Sequence, residues 1–385
     1  MSLGLTRYAV DAAPIVPPSV EPPGQAKDAL SLDLLITQVL VRNPSLAQMV
    51  AAWQAAAARY PQVTSLEDPL FGTTVAPASI GSHDVEFGYR VEISQKYPFP
   101  GKRCLRGQGA QADARAAGHD VEDMRLQLVE ATTSAFADYY LAGRALDVNT
   151  EALRLLAELQ ETARDRYQKG LVPEQDVRQA EVEIGRQRQR QVTLERMRQV
   201  AAARLNTLLH LPPDSPLPPP PTQVRLAEAL PDVQALRADA LARRPDLQAL
   251  ADRLQADQAA LGLAHKDFYP DWEVTAAYDT IMGNGPTRDL APQVGVRFNL
   301  PVRQARRSAA LAEAQARIAQ RHAELDRQID QLSFQVQEAY AQVQESARIV
   351  RLDEETILRA AEANLDAARS AYVAGKIPSL SLVEA

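Results

Sequence analysis

The feature that most constrains the fold of this chain is an internal duplication. Asn43-Pro44-Ser45-Leu46 recurs as Arg244-Pro245-Asp246-Leu247, at an offset of 201 residues. Four further landmarks recur in the same order: Asp68-Pro69 as Tyr269-Pro270, Phe99-Pro100 as Leu300-Pro301, Ala135-Phe136-Ala137 as Ala339-Tyr340-Ala341, and Tyr167-x-x-Gly170-x-x-Pro173 as Tyr372-x-x-Gly375-x-x-Pro378. The last offset is 205, which requires about four inserted residues. The sequence therefore predicts two tandem copies of one structural unit.

The distribution of proline divides the chain. We expect a Pro-rich segment at 1–28, a first repeat at 29–211, a Pro-rich linker at 212–224 and a second repeat at 225–385. A segment as rich in proline as the linker is predicted to be extended. The N-terminus lacks a basic region followed by an apolar core, so we expect a mature or trimmed form. The second copy stops where its counterpart continues for roughly thirty residues, so its final return helix is expected to be missing.

Each copy reads as helix, strand, loop, strand, long helix, turn and helix. The first helices are predicted at about 44–60 and 245–267. Alternation of apolar and polar residues predicts strands at about 85–97, 271–279 and 292–300, and the remaining strand of the first pair is expected at about 69–76. In three of these strands one face is apolar. The opposite face carries the charged residues Glu86, Arg90, Glu92, Glu273, Asp279 and Arg297.

The helices that follow the strands are unusually long. They are predicted at 101–167 and 302–372, with a return helix at 174–209 after the first. No proline interrupts the first, and about 66 residues at 1.5 Å per residue reach ~100 Å. Apolar residues and alanines spaced three and four apart indicate a coiled-coil seam. The fold class is therefore mainly α with a small β part.

Four short strands do not close a barrel alone, and an open half-apolar sheet needs its edges covered. Three copies would supply twelve strands, enough to enclose a lumen. The apolar face would then contact lipid, and the charged face would line water. A sheet packed on another domain is the alternative. No apolar run reaches the ~20 residues that a membrane-spanning helix requires.

Several function classes find no support in the sequence. A net charge of -7 argues against binding nucleic acid, which requires clustered positive charge. The single cysteine excludes an internal disulfide, and the five histidines lack the spacing of metal ligands. No phosphate loop, dinucleotide-binding glycine pattern or nucleophile elbow is present. We expect no cofactor, no bound metal and no enzymatic activity.

The segment Ile93-Ser94-Gln95-Lys96-Tyr97-Pro98-Phe99-Pro100-Gly101-Lys102 resembles the strand-to-helix junction of TolC-like outer-membrane efflux factors, in their heavy-metal resistance (CusC/CzcC-type) branch. The duplicated pattern of strand pairs and long helices resembles that family over nearly the whole chain. Proline cannot continue a strand ladder and starts a helix well. Pro98, Phe99, Pro100 and Pro301 are therefore predicted to form the junctions.

The resemblance implies a homotrimer whose twelve-stranded β-barrel crosses the bacterial outer membrane. Its helices would form a tunnel (α-barrel) in the periplasm. The tunnel would dock on a periplasmic adaptor (membrane fusion) protein and an inner-membrane pump of the proton-driven resistance-nodulation-division type. The exported substrates would be heavy-metal cations.

The two turns after the long helices resemble the periplasmic helix tips of such ducts. The resemblance implies adaptor docking at Lys169, Gly170, Leu171, Gly375 and Lys376. Glycine there supplies the positive φ of a tight helix reversal. It also implies acidic gate residues just past the tips, for which Asp176 and Glu384 are the candidates.

A soluble periplasmic coiled-coil adaptor or scaffold is the alternative function. It would explain the long helices and the Pro-rich segments. It would explain neither the duplication nor strands with an apolar face.

Overall fold

A computed structural model describes residues 30–77, 80–81, 88–224, 230–279, 292–377 and 381–382. The elements are α1 (Leu32–Arg42), α2 (Pro44–Thr64), β1 (Leu70–Val75), β2 (Tyr89–Tyr97), α3 (Lys102–Gln168), α4 (Glu174–Leu208), α5 (Val233–Arg243), α6 (Pro245–Lys266), β3 (Trp272–Asp279), β4 (Pro292–Phe298), α7 (Gln304–Leu352), a π-helical turn (Asp353–Ile357) and α8 (Leu358–Val373). The prediction of a mainly helical chain with a small four-stranded sheet is confirmed. In the described part of the chain, no helix is both long and apolar enough to cross a membrane.

The structure adds two short helices that the sequence analysis missed, α1 and α5. Each ends directly before a proline, at Asn43 (φ -69°, ψ 124°) and Arg244 (φ -60°, ψ 122°). The proline ring disfavours helical backbone in the preceding residue, so the chain turns and a new helix begins at Pro44 or Pro245. A side-chain signal was available for α5, because Asp232 caps it by accepting a hydrogen bond from the Gln234 amide.

The chain divides into two compact units, and both draw on both repeats. The first comprises residues 1–44, 126–228 and 347–385, and the second comprises 45–125 and 229–346. The compact units therefore do not coincide with the tandem repeats expected at 29–211 and 225–385. The physical reason is the length of α3 and α7, since each passes from one unit into the other.

The second unit contains the antiparallel sheet, in the order β1-β2-β3-β4. Its two inner strands come from different repeats, with Arg90 paired to Asp279 and Tyr97 to Trp272. Strands β1 and β4 are the outer strands of the described sheet. Because directly paired residues lie on the same face of a sheet, this register decides which side chains share a face.

In the first unit α3 and α4 pack as an antiparallel hairpin. The Asn149 side-chain amide donates to the Gln187 carbonyl at 3.3 Å, and Arg204 lies 3.4 Å from the Asp138 carboxylate. Alanines fill much of the seam, and Ala163 and Ala180 are completely or almost completely buried. Small seam residues allow the two helices to approach closely.

The Pro-rich linker, which was expected to be extended throughout, begins with a turn in which the Ser215 amide donates to the Pro212 carbonyl at 3.0 Å, and its later residues pack against α3. The Tyr139 hydroxyl donates to the Pro218 carbonyl at 3.1 Å, and the Leu30 amide donates to the Pro219 carbonyl at 3.1 Å. A Cβ added to Gly143 would lie 2.6 Å from Pro220 Cγ. Residue 143 must therefore lack a side chain for the linker to lie where it does.

The second long helix differs from the prediction. The sequence predicts one continuous helix over 302–372, whereas the structure has α7, a π-helical turn at Asp353–Ile357, and α8. In the first repeat, α3 is an uninterrupted α-helix of 67 residues.

Candidate functional site

One face of the sheet is apolar and exposed. Tyr97, Trp272 and Phe298 are paired in one row across β2, β3 and β4. Val294 on this face is 81% exposed and Phe71 is 70% exposed. A contiguous apolar surface of this kind is unusual on a protein that is covered only by water.

The opposite face carries the charged side chains. Arg90 and Glu92 form an ion pair at 2.9 Å, and Glu273 is paired in register with Arg297. Gly72 lies opposite Glu92, and a Cβ there would come within 3.1 Å of Glu92 Cγ. The glycine therefore leaves room for the carboxylate.

Four of the six predicted lumen residues thus share one face, namely Arg90, Glu92, Glu273 and Arg297. Asp279 is the register partner of Arg90 on β3. Glu86 lies outside the described residues.

A buried lysine ties the first strand-to-helix junction to the second repeat. The Lys102 side chain is 4% exposed, and its Nζ lies 2.9 Å from Asp267 Oδ1 and 3.0 Å from Asp271 Oδ1. The Phe99 amide also donates to Asp271 Oδ1, at 2.7 Å. A buried charge needs such partners, because an isolated one is strongly disfavoured away from water.

Aromatic stacking reinforces this junction. The rings of Phe99 and Tyr269 are stacked with centroids 4.6 Å apart, and Lys266 Nζ lies 5.3 Å from the Phe99 centroid. Gly101 has φ +92°, a conformation that favours glycine. In the Pro98-Phe99-Pro100-Gly101-Lys102 run, Phe99, Gly101 and Lys102 therefore each have a specific structural role.

The second junction, before Pro301, contacts the same aspartate. The Asp271 amide donates to Asn299 Oδ1 at 2.6 Å, and the Asn299 amide donates to the Asp271 carbonyl at 3.3 Å. Asp267 and Asp271 were not among the residues predicted from the sequence. Their partners lie well over a hundred residues away, and no local pattern marks that contact.

The two helix tips share one backbone geometry. Gly170 has φ +70° and Gly375 has φ +69°. At the first tip the Gly170 amide donates to the Tyr167 carbonyl and the Leu171 amide to the Arg166 carbonyl, both at 2.9 Å. The second tip repeats this pattern, from Gly375 to Tyr372 and from Lys376 to Ala371. Both are Schellman motifs, which require a left-handed residue.

The tip residues predicted to dock an adaptor lie at the surface. Leu171 is 64% exposed, and Lys169, Gly170, Gly375 and Lys376 are exposed as well. No atom outside the immediate chain neighbours lies within 4 Å of where a Cβ on Gly170 would be.

A buried cluster lies behind the second tip. Tyr372 is 2% exposed, and the Arg166 guanidinium carbon lies 4.8 Å from its ring centroid. Arg166 Nη1 also donates to the Tyr372 carbonyl. Burial, and to a smaller extent the negative charge of Asp176, raise the pKa of the Tyr372 hydroxyl, while the Arg166 charge acts in the opposite direction.

Of the two predicted gate acids, the structure describes one. Asp176 lies in the first turn of α4 and is 7% exposed. A carboxylate is favoured at a helix N-terminus by the helix dipole. Glu384 lies outside the described residues.

Among the residues that the structure describes, no group of three or more His, Cys, Asp or Glu side chains could hold a metal ion. Cys104 is a free, exposed thiol near the start of α3.

Comparison with known proteins places this geometry in a family. The sequence profile described as outer membrane efflux protein matches residues 35–209 and 236–385. The second match begins 201 residues after the first, which is the offset of the repeat. An uncharacterized protein of Haemophilus influenzae is 22% identical over 292 residues, which cover 71% of this chain and 60% of that protein. The chain therefore spans about 60% of that relative's length.

Solved structures share the fold. CusC superposes with a TM-score of 0.76 at 18% identity, over 96% of this chain and 92% of CusC. The outer membrane protein VceC of Vibrio cholerae gives 0.74 at 20% identity, over 91% and 88%. The outer-membrane channel OprN gives 0.71 at 20% identity, over 92% and 82%. With the family profile covering most of the sequence in two segments, the chain belongs to the outer membrane efflux protein family.

Proposed function

We propose that this chain is the protomer of a passive outer-membrane duct in a tripartite efflux system. The observation that carries the proposal is the sheet, which has one charged face and one exposed apolar face. The free energy of the protein falls when lipid replaces water around exposed apolar side chains such as Val294 and Phe71. A charged face with ion pairs such as Arg90–Glu92 suits a water-filled lumen.

The sheet edges support a homotrimer. Within the described sheet, β1 and β4 each have one edge without a strand partner. Backbone N–H and C=O groups at such edges favour pairing with another strand, and in lipid they must be paired. Three copies joined β4 to β1 would supply twelve strands and leave no edge.

The helix tips support contact with partner proteins. Their exposed Leu171, Lys169 and Lys376 offer an apolar and basic surface to a periplasmic adaptor. The adaptor would connect the duct to an inner-membrane pump of the proton-driven resistance-nodulation-division type, which supplies the energy. The duct itself would catalyse no reaction.

For the gate, we propose Asp176, with Glu384 as the second candidate. A three-fold ring of carboxylates at a narrow entrance attracts cations and repels anions. Together with the Pro98-Phe99-Pro100-Gly101-Lys102 junction, which resembles the heavy-metal branch, this favours heavy-metal cations as substrates. A soluble adaptor or scaffold is disfavoured, because it would leave the apolar face of the sheet in water.

Two neighbouring residues on β4 test the membrane assignment with a matched pair. Val294 lies on the apolar face and Gln293 on the charged face. We expect Val294→Arg to abolish membrane insertion and channel conductance in planar bilayers, because arginine facing lipid costs ~2–4 kcal/mol at mid-membrane. Gln293→Arg keeps insertion and changes only the ion selectivity. A parent protein that stays soluble and monomeric without detergent, and that conducts nothing, contradicts the duct.

The substrate is tested separately in cells. A strain that lacks the gene is expected to become sensitive to heavy-metal salts and to recover when the parent gene is restored. Sensitivity to organic compounds alone would contradict the metal assignment and leave the duct intact.

A further inference from the structure

The register between the two repeats changes by one residue inside the second long helix. Upstream of the change the matching residues lie 204 apart, as in Ala135 with Ala339 and Arg144 with Arg348. Downstream they lie 205 apart, as in Leu153 with Leu358, Arg154 with Arg359, Ala163 with Ala368, Arg164 with Arg369 and Tyr167 with Tyr372. The second copy therefore contains one additional residue between Arg348 and Leu358.

The π-helical turn lies inside this short interval. It spans Asp353–Ile357, and the Leu358 amide donates to the Asp353 carbonyl, five residues back. A turn closed by a bond to the fifth residue accommodates one more residue than an α-helical turn, which closes to the fourth. The corresponding part of α3 is continuous α-helix. The position of the π-helical turn thus matches the position of the extra residue.

An insertion that is not absorbed in this way would change the second tip. Each residue turns an α-helix by ~100°, so one additional residue rotates everything beyond it by that angle. Ala371 would then take the orientation that Tyr372 has. Tyr372 would leave the place where it is 2% exposed, and its neighbour Val373 is already 68% exposed.

We propose that the π-helical turn Asp353–Ile357 is a positioning element for Tyr372. It absorbs the inserted residue and keeps α8 in phase, so that Tyr372 packs beneath the Arg166 guanidinium. This assignment of register does not depend on the proposed function.

Two single-residue deletions test the proposal. Thr356 lies in the π-helical turn and Ala363 lies in α8, and both are exposed and uncharged. Deletion of Thr356 should convert the π-helical turn to α-helix and leave Tyr372 buried. Deletion of Ala363 should rotate Tyr372 out of its place. The readout is the ¹⁹F NMR signal of 3-fluorotyrosine placed at this tyrosine, with broadening by a water-soluble paramagnetic agent as the measure of exposure.

The expected result is the protected parent signal after deletion of Thr356 and a loss of protection after deletion of Ala363. Exposure of Tyr372 in the Thr356 deletion, or continued protection in the Ala363 deletion, would overturn the proposal. If the Ala363 deletion fails to assemble, a compensating variant with one alanine inserted beside Thr356 decides. Recovery of the protected signal would show that the Ala363 deletion acts by shifting the register of α8. Absence of recovery would contradict the proposal.

The same samples separate this inference from the duct itself. A parent protein with a protected Tyr372 that forms no channel in planar bilayers would sink the proposed function and leave the register assignment standing. A parent protein that conducts, but whose Thr356 deletion exposes Tyr372, would support the proposed function and contradict the register assignment.

Discussion

The two helix tips have the same local structure and differ in what surrounds them. Both reverse through a left-handed glycine with the same pair of hydrogen bonds. Yet Tyr167 at the first tip is 45% exposed, whereas Tyr372 at the second is 2% exposed. A short motif therefore determines the turn, while long-range packing determines that Tyr372, and not Tyr167, is buried.

The largest expected difference between the tips comes from removing each tyrosine. Tyr372→Ala should destabilise the second tip by about 3 kcal/mol, since it leaves a cavity where a buried aromatic ring was. Tyr167→Ala, the matched control, should cost under ~1 kcal/mol because the ring is exposed. Amide hydrogen exchange at each tip measures both. Equal effects would show that burial does not distinguish the tips.

The next effect concerns the arginine that covers Tyr372. Arg166→Gln removes the cation–π contact and the bond to the Tyr372 carbonyl, and we expect a loss of ~1–2 kcal/mol. Arg164→Gln is the control, because Arg164 is exposed on the same helix. The same exchange experiment should show an effect only for Arg166. An equal response to both substitutions would show that the effect comes from removing a positive charge from α3, and not from the contacts of Arg166 with Tyr372.

A smaller effect should be shared by the two tips. Gly170→Ala and Gly375→Ala each force a side chain into positive φ, at a cost of ~1 kcal/mol. A Cβ at residue 375 would meet Arg166 Nη2 only at 3.5 Å, so crowding adds little. Thermal unfolding of both variants should therefore give similar shifts. A much larger loss at one position would show that the local geometries are not equivalent.

The smallest effect at neutral pH is that of the Tyr372 hydroxyl. Its pKa is raised in the folded protein, so its contribution to stability is present below the unfolded-state pKa and lost as pH rises through the folded one. The second tip should therefore loosen in alkaline solution, and Tyr372→Phe should remove that dependence. At pH 7 the same substitution should change stability by under ~0.5 kcal/mol. If the alkaline transition persists in Tyr372→Phe, a group other than the Tyr372 hydroxyl causes it.

Prediction from sequence was effective where a feature is local or periodic. Alternation predicted the strand pairs, and the Tyr-x-x-Gly motif predicted turns at Gly170 and Gly375. The exposed apolar face of the sheet also follows from alternation, because successive side chains of a strand point to opposite faces.

The features that were missed depend on contacts or on register. No local pattern marks Asp271 as the partner of Phe99 and Lys102, since packing alone brings them together. The π-helical turn leaves no composition signal and becomes visible only as a change of one residue in the repeat offset. The helices α1 and α5 were overlooked because each is short and ends at a proline.

The most direct test of the account asks whether β4 of one chain pairs with β1 of the next. In a Cys104→Ser background, Thr73 on β1 and Val296 on β4 are both replaced by cysteine; they lie on the same face of the sheet. A short thiol cross-linker is applied to outer membranes, and the products are separated in denaturing gels. A barrel closed by pairing of β4 with β1 predicts covalent dimers and trimers that require both cysteines. Chains that remain monomeric, in membranes where single-cysteine controls react fully with a maleimide, would contradict it.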